Sequence, residues 1–329
     1  MNQMLQLKNY DIAIRAQPEI LKLSRKKMNT KVYAQFNKER NILGIDELHK
    51  FNVMGHGITV AIIDTGCFPH LDFCAGRNRI SKFCDLINKK EKLYDDNGHG
   101  TFVAGILGGS GLTANGRFRG VAPKCGMVIL KALDRLGETE VSTILDAMQF
   151  VHENRNRYNI KVVCMSFGSS VLPKNDPLIK GAESLWNSGV TVVCAGGNDG
   201  PDAGSIRSPG ASAKIITVGS AKFNELKGFN AADFSSRGPA INNISKPDIL
   251  APGVDLTGAS NRVNFYTQMS GTSVSTPIVA GTVALLLSRF PYYEPDQIKS
   301  VLLHTASSLD CERNTCGRGL VNPYAAVME

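Results

Sequence analysis

No stretch of this chain strings together the roughly 18 apolar residues that a membrane-crossing helix needs, so no membrane partner is expected. The opening residues, Met1-Asn-Gln-Met-Leu-Gln-Leu-Lys-Asn-Tyr, lack the charged start, apolar core and small-residue cleavage site of a secretory signal. Tryptophan occurs once, and Gly-Lys never occurs, which removes the phosphate-cradling Gly-x-x-x-x-Gly-Lys loop. The eight cysteines contain no C-x-x-C pair. Without an export signal, the expectation is no disulfide framework and a reducing cytoplasm as the compartment. Cys311 and Cys316 have no second pair beside them, and neither a bridge nor a metal hook is expected there. Cys164 and Cys194 sit in apolar runs and read as small buried hydrophobes.

One-signed charge is also scarce in the body of the chain. The net charge is +8, but residues 1–50 hold ten Lys or Arg against five Asp or Glu, leaving +3 for everything after them. A nucleic-acid binder would carry a basic stripe on its folded part, and no nucleic-acid partner is expected. The basic residues Lys22, Arg25, Lys26, Lys27 and Lys31 mark residues 1–45 as a leader or short pro-segment, with a single domain over 46–329. The 329 residues, 43% hydrophobic and 20% charged, are ample for a large core and exclude disorder. Nothing in the sequence signals an oligomeric state.

Short β-branched runs at Ile58–Ile63, Met127–Leu133, Ile160–Met165, Val190–Ala195 and Ile215–Val218 predict buried parallel strands. Between them, Val141, Ile144, Leu145, Met148 and Val151 fall on one face of a helix, and residues 177–188, 273–289 and 295–304 read as helices too. Strands alternating with helices predict an α/β fold, a mostly parallel sheet flanked by helices on both faces.

In such sheets ligands bind beyond the carboxyl ends of the strands. Asp64 closes the first apolar run. His99 opens a small-residue helix within Asp95-Asp-Asn-Gly-His-Gly-Thr, and Ser273 opens an apolar helix within Gly271-Thr-Ser-Val-Ser-Thr-Pro. A serine hydroxyl is a weak nucleophile until an imidazole takes its proton, and the imidazole needs a carboxylate to fix its tautomer and stabilise its charged form. The helix start at Ser273 adds N–H groups and a positive dipole end where an oxyanion would develop. The order Asp, His, Ser is one of the three in which this geometry is known. Competing hydrolytic motifs fail. His152-Glu-Asn-Arg-Asn lacks the second His of a zinc protease helix, and Gly271-Thr-Ser-Val-Ser lacks the closing Gly of a nucleophile elbow. His49, His56, His70, His152 and His304 read as structural or surface residues.

Asp64-Thr-Gly, Asn97-Gly-His-Gly-Thr and Gly271-Thr-Ser-Val-Ser-Thr-Pro resemble the three signature blocks of the subtilisin-like serine proteases. Gly120-Val-Ala-Pro, Lys131-Ala-Leu, Ser166-Phe-Gly, Ala195-Gly-Gly-Asn-Asp-Gly, Phe234-Ser-Ser-Arg-Gly-Pro and Lys246-Pro-Asp-Ile-Leu-Ala-Pro-Gly follow in register, so the resemblance covers about residues 50–327. Tyr94-Asp-Asp-Asn-Gly-His-Gly-Thr and Ser208-Pro-Gly are most similar to the AprX-type intracellular branch. The resemblance implies a serine endopeptidase of broad specificity acting on peptides or proteins through an acyl-enzyme, with Asp64, His99 and Ser273 as the triad. It also implies that the side-chain amide of Asn198 joins the Ser273 N–H in an oxyanion hole. A catalytically silent regulator or scaffold of the same fold is the alternative.

The resemblance further implies that an extended substrate lies between Leu136-Gly137-Glu138 and Ser166-Phe167-Gly168, with Ala195-Gly196-Gly197 walling the first specificity pocket. Arg207 stands where the family usually has a small residue at that pocket's floor. An unpartnered guanidinium there would select an acidic side chain; pairing with Asp199 on the rim, or reaching out to solvent, would not. No cofactor is expected. The Asp72 region resembles a calcium-ligand position of secreted relatives, but residues 108–116 supply one Asn and no acid, too few oxygens for a hard cation, and no metal is assigned.

Overall fold

A computed structural model describes residues 13–15, 35–75, 78–171 and 175–329. The basic run from Lys22 to Lys31 lies outside the described residues. The strands in chain order are β1 (Ala13–Arg15), β2 (Thr59–Asp64), β3 (Ile80–Asp85), β4 (Gly126–Lys131), β5 (Glu138–Glu140) and β6 (Ile160–Met165). They continue with β7 (Thr191–Ala195), β8 (Ile216–Asn224), β9 (Gly228–Ala231), β10 (Ile249–Pro252), β11 (Leu256–Ala259) and β12 (Tyr266–Met269). The helices are α1 (Gln35–Ile42), α2 (Ile45–Lys50), α3 (Leu71–Cys74), α4 (His99–Gly108) and α5 (Val141–Asn154). After these come α6 (Pro177–Asn187), α7 (Thr272–Arg289), α8 (Pro295–His304), α9 (Arg313–Cys316) and α10 (Pro323–Met328).

An eight-stranded sheet runs in the order β10-β8-β7-β6-β2-β4-β3, every neighbouring pair parallel, with β9 folded back antiparallel on β8. Helices α4 and α7 cover one face, and α5 and α6 the other. The central strands β2, β6 and β7 are buried on both sides, apart from half-buried Lys161 near the start of β6, which is why they read as apolar, largely β-branched runs instead of alternating ones. The two edges escape that criterion. β3 is Ile-Ser-Lys-Phe-Cys-Asp with Ser81 and Lys82 exposed, the composition that discourages further pairing. β10 ends in proline, which an edge tolerates.

Strand order fixes where a site can form. From β2 the chain goes out to the edge strand β3, comes back to lay β4 between β3 and β2, then crosses to the other flank of β2 to lay down β6, β7 and β8. The reversal at β2 opens a crevice at the carboxyl ends of the strands. Asp64 is the last residue of β2, and Ser166 and Gly196 immediately follow β6 and β7.

Helix α1, within residues 1–45, packs on the surface of the domain. Glu39, Arg40 and Leu43 are buried, and Arg40 donates from Nη1 to the carbonyl of Arg119 at 2.9 Å. The cysteine expectation needs one correction, because Cys311 and Cys316 are joined as a disulfide across α9, their Cα atoms 6.1 Å apart. The Glu312–Arg313–Cys316 turn brings the two side chains together, which spacing alone does not reveal. Cys67, Cys74, Cys84, Cys125, Cys164 and Cys194 are free thiols, with Cys164 and Cys194 fully buried as expected.

Candidate active site

Two glycines set up the reactive helices. Gly98, at φ 109°, precedes His99 at the start of α4, and Gly271, at φ 151°, precedes Thr272 and Ser273 at the start of α7. Both backbone angles lie where side chains with a Cβ rarely go, and each turns the chain sharply into its helix. Pro277 lies one turn further into α7, where its missing N–H withdraws a partner from the Ser273 carbonyl. Helices α4 and α7 pack against each other, with His99 and Ser273 each in the first turn of its helix.

Asp64 and His99 are both fully buried, with His99 Nδ1 2.8 Å from Asp64 Oδ1. A carboxylate only accepts, so Nδ1 carries the proton and donates, leaving Nε2 as the basic nitrogen. Burial disfavours the imidazolium, but the charge and hydrogen bond of Asp64 outweigh it, and the His99 pKa is raised above its ordinary 6.5. His99 Nε2 and Ser273 Oγ are both buried and neither has a hydrogen-bond partner. Nucleophile–base bonds are commonly long before substrate arrives.

A polar frame holds the Asp64–His99 pair. Asp95 accepts from Thr65 Oγ1 at 3.0 Å and Gly98 N at 2.8 Å on one oxygen, and from Thr101 N at 2.9 Å and Thr101 Oγ1 at 2.6 Å on the other. It thereby ties the loop after β2 to the first turn of α4. Buried Lys131 donates to the Thr65 carbonyl and to Asp96 Oδ1, both at 2.7 Å, and to the Leu133 carbonyl at 3.0 Å. The sequence marks Asp95 and Lys131 only as parts of motifs. Their function of joining the two loops exists only once the strands are paired.

Asn198 and Ser273 line one cavity of about 250 Å³ with Ser166, Phe167, Gly168, Ala195, Gly197, Arg207 and Thr272. Asn198 Oδ1 accepts from both the N–H and the hydroxyl of Thr272, each at 2.9 Å. An N–H can only donate, so the end of the amide at Thr272 is its oxygen, and the donating nitrogen is the opposite end. Thr272 was not singled out in the sequence. A threonine immediately before the serine gives no signal of its partner 74 positions earlier.

Arg207 is paired. Its Nε and Nη2 donate to Asp199 Oδ2 at 2.6 Å and Oδ1 at 2.8 Å, a bidentate fork, and Nη1 donates to Ser170 Oγ at 3.2 Å. The pocket therefore offers no bare guanidinium, and the acid-selecting alternative is replaced by the paired one. On the turn before β5 Leu136 is exposed and Gly137 buried, and neither is among the residues lining the cavity. β1 is paired antiparallel with β5, Arg15 opposite Glu138 and Ala13 opposite Glu140.

The residues around Asp72 do not fit calcium. Tyr266 donates its hydroxyl to Asp72 Oδ2 at 2.8 Å, and Thr113 approaches Oδ1 with its N–H at 3.3 Å and its hydroxyl at 3.4 Å. A lone buried carboxylate surrounded by hydrogen-bond donors offers one ligand where a hard cation wants six or more. Among the described residues, no cluster of His, Cys, Asp or Glu has the makings of a metal site, and no helix is long and apolar enough to cross a membrane.

Comparison with known proteins places this arrangement in a class. Residues 55–321 match the family model described as the subtilase family, peptidase S8, so the chain belongs to the subtilase family of serine endopeptidases. Among its relatives is the serine protease AprX of Bacillus subtilis (strain 168), 39% identical over 297 residues, 83% of this chain and 66% of that protein. The chain thus spans just under two thirds of that relative's length. Subtilisin Savinase of Lederbergia lenta is 34% identical over 84% of this chain and 93% of its own. A solved structure described as a cold adapted subtilisin-like serine proteinase superposes with a TM-score of 0.67 at 29% identity, covering 82% of this chain and 88% of the other.

Proposed function

We propose that this chain cleaves peptide bonds within proteins through an acyl-enzyme formed on Ser273. His99 Nε2 takes the Ser273 proton as Oγ attacks the scissile carbonyl, then returns it to the departing amine. Asp64 holds the tautomer and stabilises the imidazolium. The Asn198 amide and the Ser273 N–H receive the oxyanion. The observation that carries this reading is the buried Asp64–His99 hydrogen bond at the strand-order reversal, beside one cavity lined by both Ser273 and Asn198. No metal is needed for the chemistry.

Upstream substrate residues add as a strand to the Leu136-Gly137-Glu138 edge, opposite Ser166-Phe167-Gly168. The antiparallel β1–β5 pair supports both this mode and a leader over residues 1–45 that lies across that edge, because it already adds a chain segment to Glu138–Glu140. Backbone recognition of this kind favours broad specificity. The site of action is the cytoplasm, a reading supported by six free cysteines among the eight.

A fluorophosphonate probe tests the reading directly. Covalent labelling on Ser273, lost in Ser273→Ala together with release of peptides from a denatured protein mixture, is the expected result. A chain that neither labels nor cleaves is a silent scaffold.

A further inference from the structure

Arg207 does more than line the specificity cavity. A Cβ added at Gly168 would stand 2.8 Å from Arg207 Cβ, and one at Gly197 would stand 2.6 Å from Arg207 Cγ. The two glycine walls, which follow β6 and β7, therefore both rest on the methylene stem of Arg207, and the stem is the floor between them. Beyond the floor lies a second cavity of about 400 Å³, lined by Val171, Asp199, Gly204, Ser205 and Ile206 among others. Among the described residues, Arg207 and Ser170 are the two that line both cavities. These are the two residues whose hydrogen bond, with the Asp199 fork, spans the gap. One ion pair separates the substrate cavity from a larger space behind it.

We propose that the Arg207–Asp199 pair decides which residue this peptidase accepts before the scissile bond, the stem by limiting depth and the paired charges by making the floor neutral. The proposal rests on the peptidase reading above. In the parent enzyme it selects uncharged side chains of moderate length. A Glu meets a guanidinium whose charge Asp199 already balances, a Lys meets an Asp199 whose charge Arg207 already balances, and a Trp runs into the stem. Each partner, once alone, imposes its own preference. Asp199→Asn keeps the shape but leaves Arg207 with a net charge, which favours Glu. Arg207→Met keeps an unbranched stem and leaves Asp199 uncompensated, which favours Lys. Arg207→Ala also removes the stem and joins the two cavities, which favours Trp in addition.

The experiment compares kcat/KM for peptides identical except for Leu, Glu, Lys or Trp before the cleaved bond, each enzyme normalised to its fluorophosphonate-titrated active sites. Because the pair is about one-third exposed on each side, solvent screening limits the gain, and a change of about fivefold in the Glu/Leu or Lys/Leu ratio is expected. The double variant Asp199→Asn with Arg207→Met should return both ratios to near the parent's. Trp/Leu should rise in Arg207→Ala and stay level in Arg207→Met. Ratios that stay within twofold of the parent in all the single variants would overturn the proposal while leaving the peptidase reading intact. A parent enzyme that does not label and cleaves none of the peptides would instead bring down the reading beneath it. Active-site titration keeps a partly misfolded variant from imitating either outcome, since the ratio is taken within one preparation.

Discussion

His99 Nδ1 lies 2.8 Å from Asp64 Oδ1 although 35 residues separate them, and both side chains are fully out of solvent. Burial opposes the imidazolium and the carboxylate favours it, with the carboxylate prevailing. On the proposed mechanism His99 must be neutral to accept the Ser273 proton. Activity therefore falls as pH drops through the raised pKa. The acid limb of the kcat/KM profile is expected to have its midpoint above 6.5, and a midpoint below 6 would contradict the geometry. The stability linkage has the opposite sense. Charging His99 is favoured in the fold, so its stabilising contribution is full below about pH 6.5 and fades as pH rises through the folded pKa.

Removing the proposed oxyanion donor is expected to act on turnover and spare binding. Asn198→Ala should lower kcat by ~10²–10³-fold with KM little changed, a magnitude borrowed from a subtilisin of this same family and not deduced from the distances. Steady-state kinetics on one chromogenic peptide decide it, and an equal loss in KM would assign Asn198 to substrate binding instead.

Thr272 positions that amide. Thr272→Val deletes one of the two hydrogen bonds on Asn198 Oδ1 and keeps the N–H bond. One neutral hydrogen bond is worth about 1 kcal/mol, so kcat should drop about fivefold. Thr272→Ser, which keeps the hydroxyl, should restore it. The same variant made in an Asn198→Ala background should cost little more, because the group it positions is already gone.

Asp72 separates a hydrogen-bonded pin from a metal site. The chelator EDTA should leave the melting temperature unchanged, whereas Tyr266→Phe, which strips Asp72 Oδ2 of its hydroxyl donor, should cost about 1–3 kcal/mol of stability. Calcorimetric scans with and without added calcium measure both effects, and a calcium-dependent rise in melting temperature would restore the metal reading.

The Cys311–Cys316 bridge closes a small loop, and chain entropy gives such loops about 2 kcal/mol. Replacing both by Ser, or reducing the bridge, should lower the melting temperature by a few degrees, while the buried thiols of Cys67, Cys125, Cys164 and Cys194 remain alkylatable only after unfolding or partial opening. Peptide mapping under non-reducing conditions detects the bridge.

Much of the architecture was written in residue chemistry. The strands buried on both faces, β2, β4, β6 and β7, show as β-branched runs because, past their first residues, they do not need to meet water. Glycine before His99 and before Ser273 marks helix starts because only a residue without Cβ turns so sharply there. Asp64, His99, Ser273 and Asn198 were therefore named from motifs, each sitting at an element end that local sequence defines. The edges β3 and β10 were not legible, since an edge strand needs only one neighbour and carries Lys82 or Pro252 without penalty.

What the tertiary structure alone decided was pairing. Whether Arg207 faced a substrate or Asp199 depended on where the loop after β7 and the segment eleven residues beyond Gly196 come to rest, and hydrogen bonds fall off over tenths of an ångström. The same holds for Thr272 on Asn198, Tyr266 on Asp72 and Cys311 on Cys316. Residue types state which groups can interact; only the packed sheet and its loops fix which of them are within 3 Å.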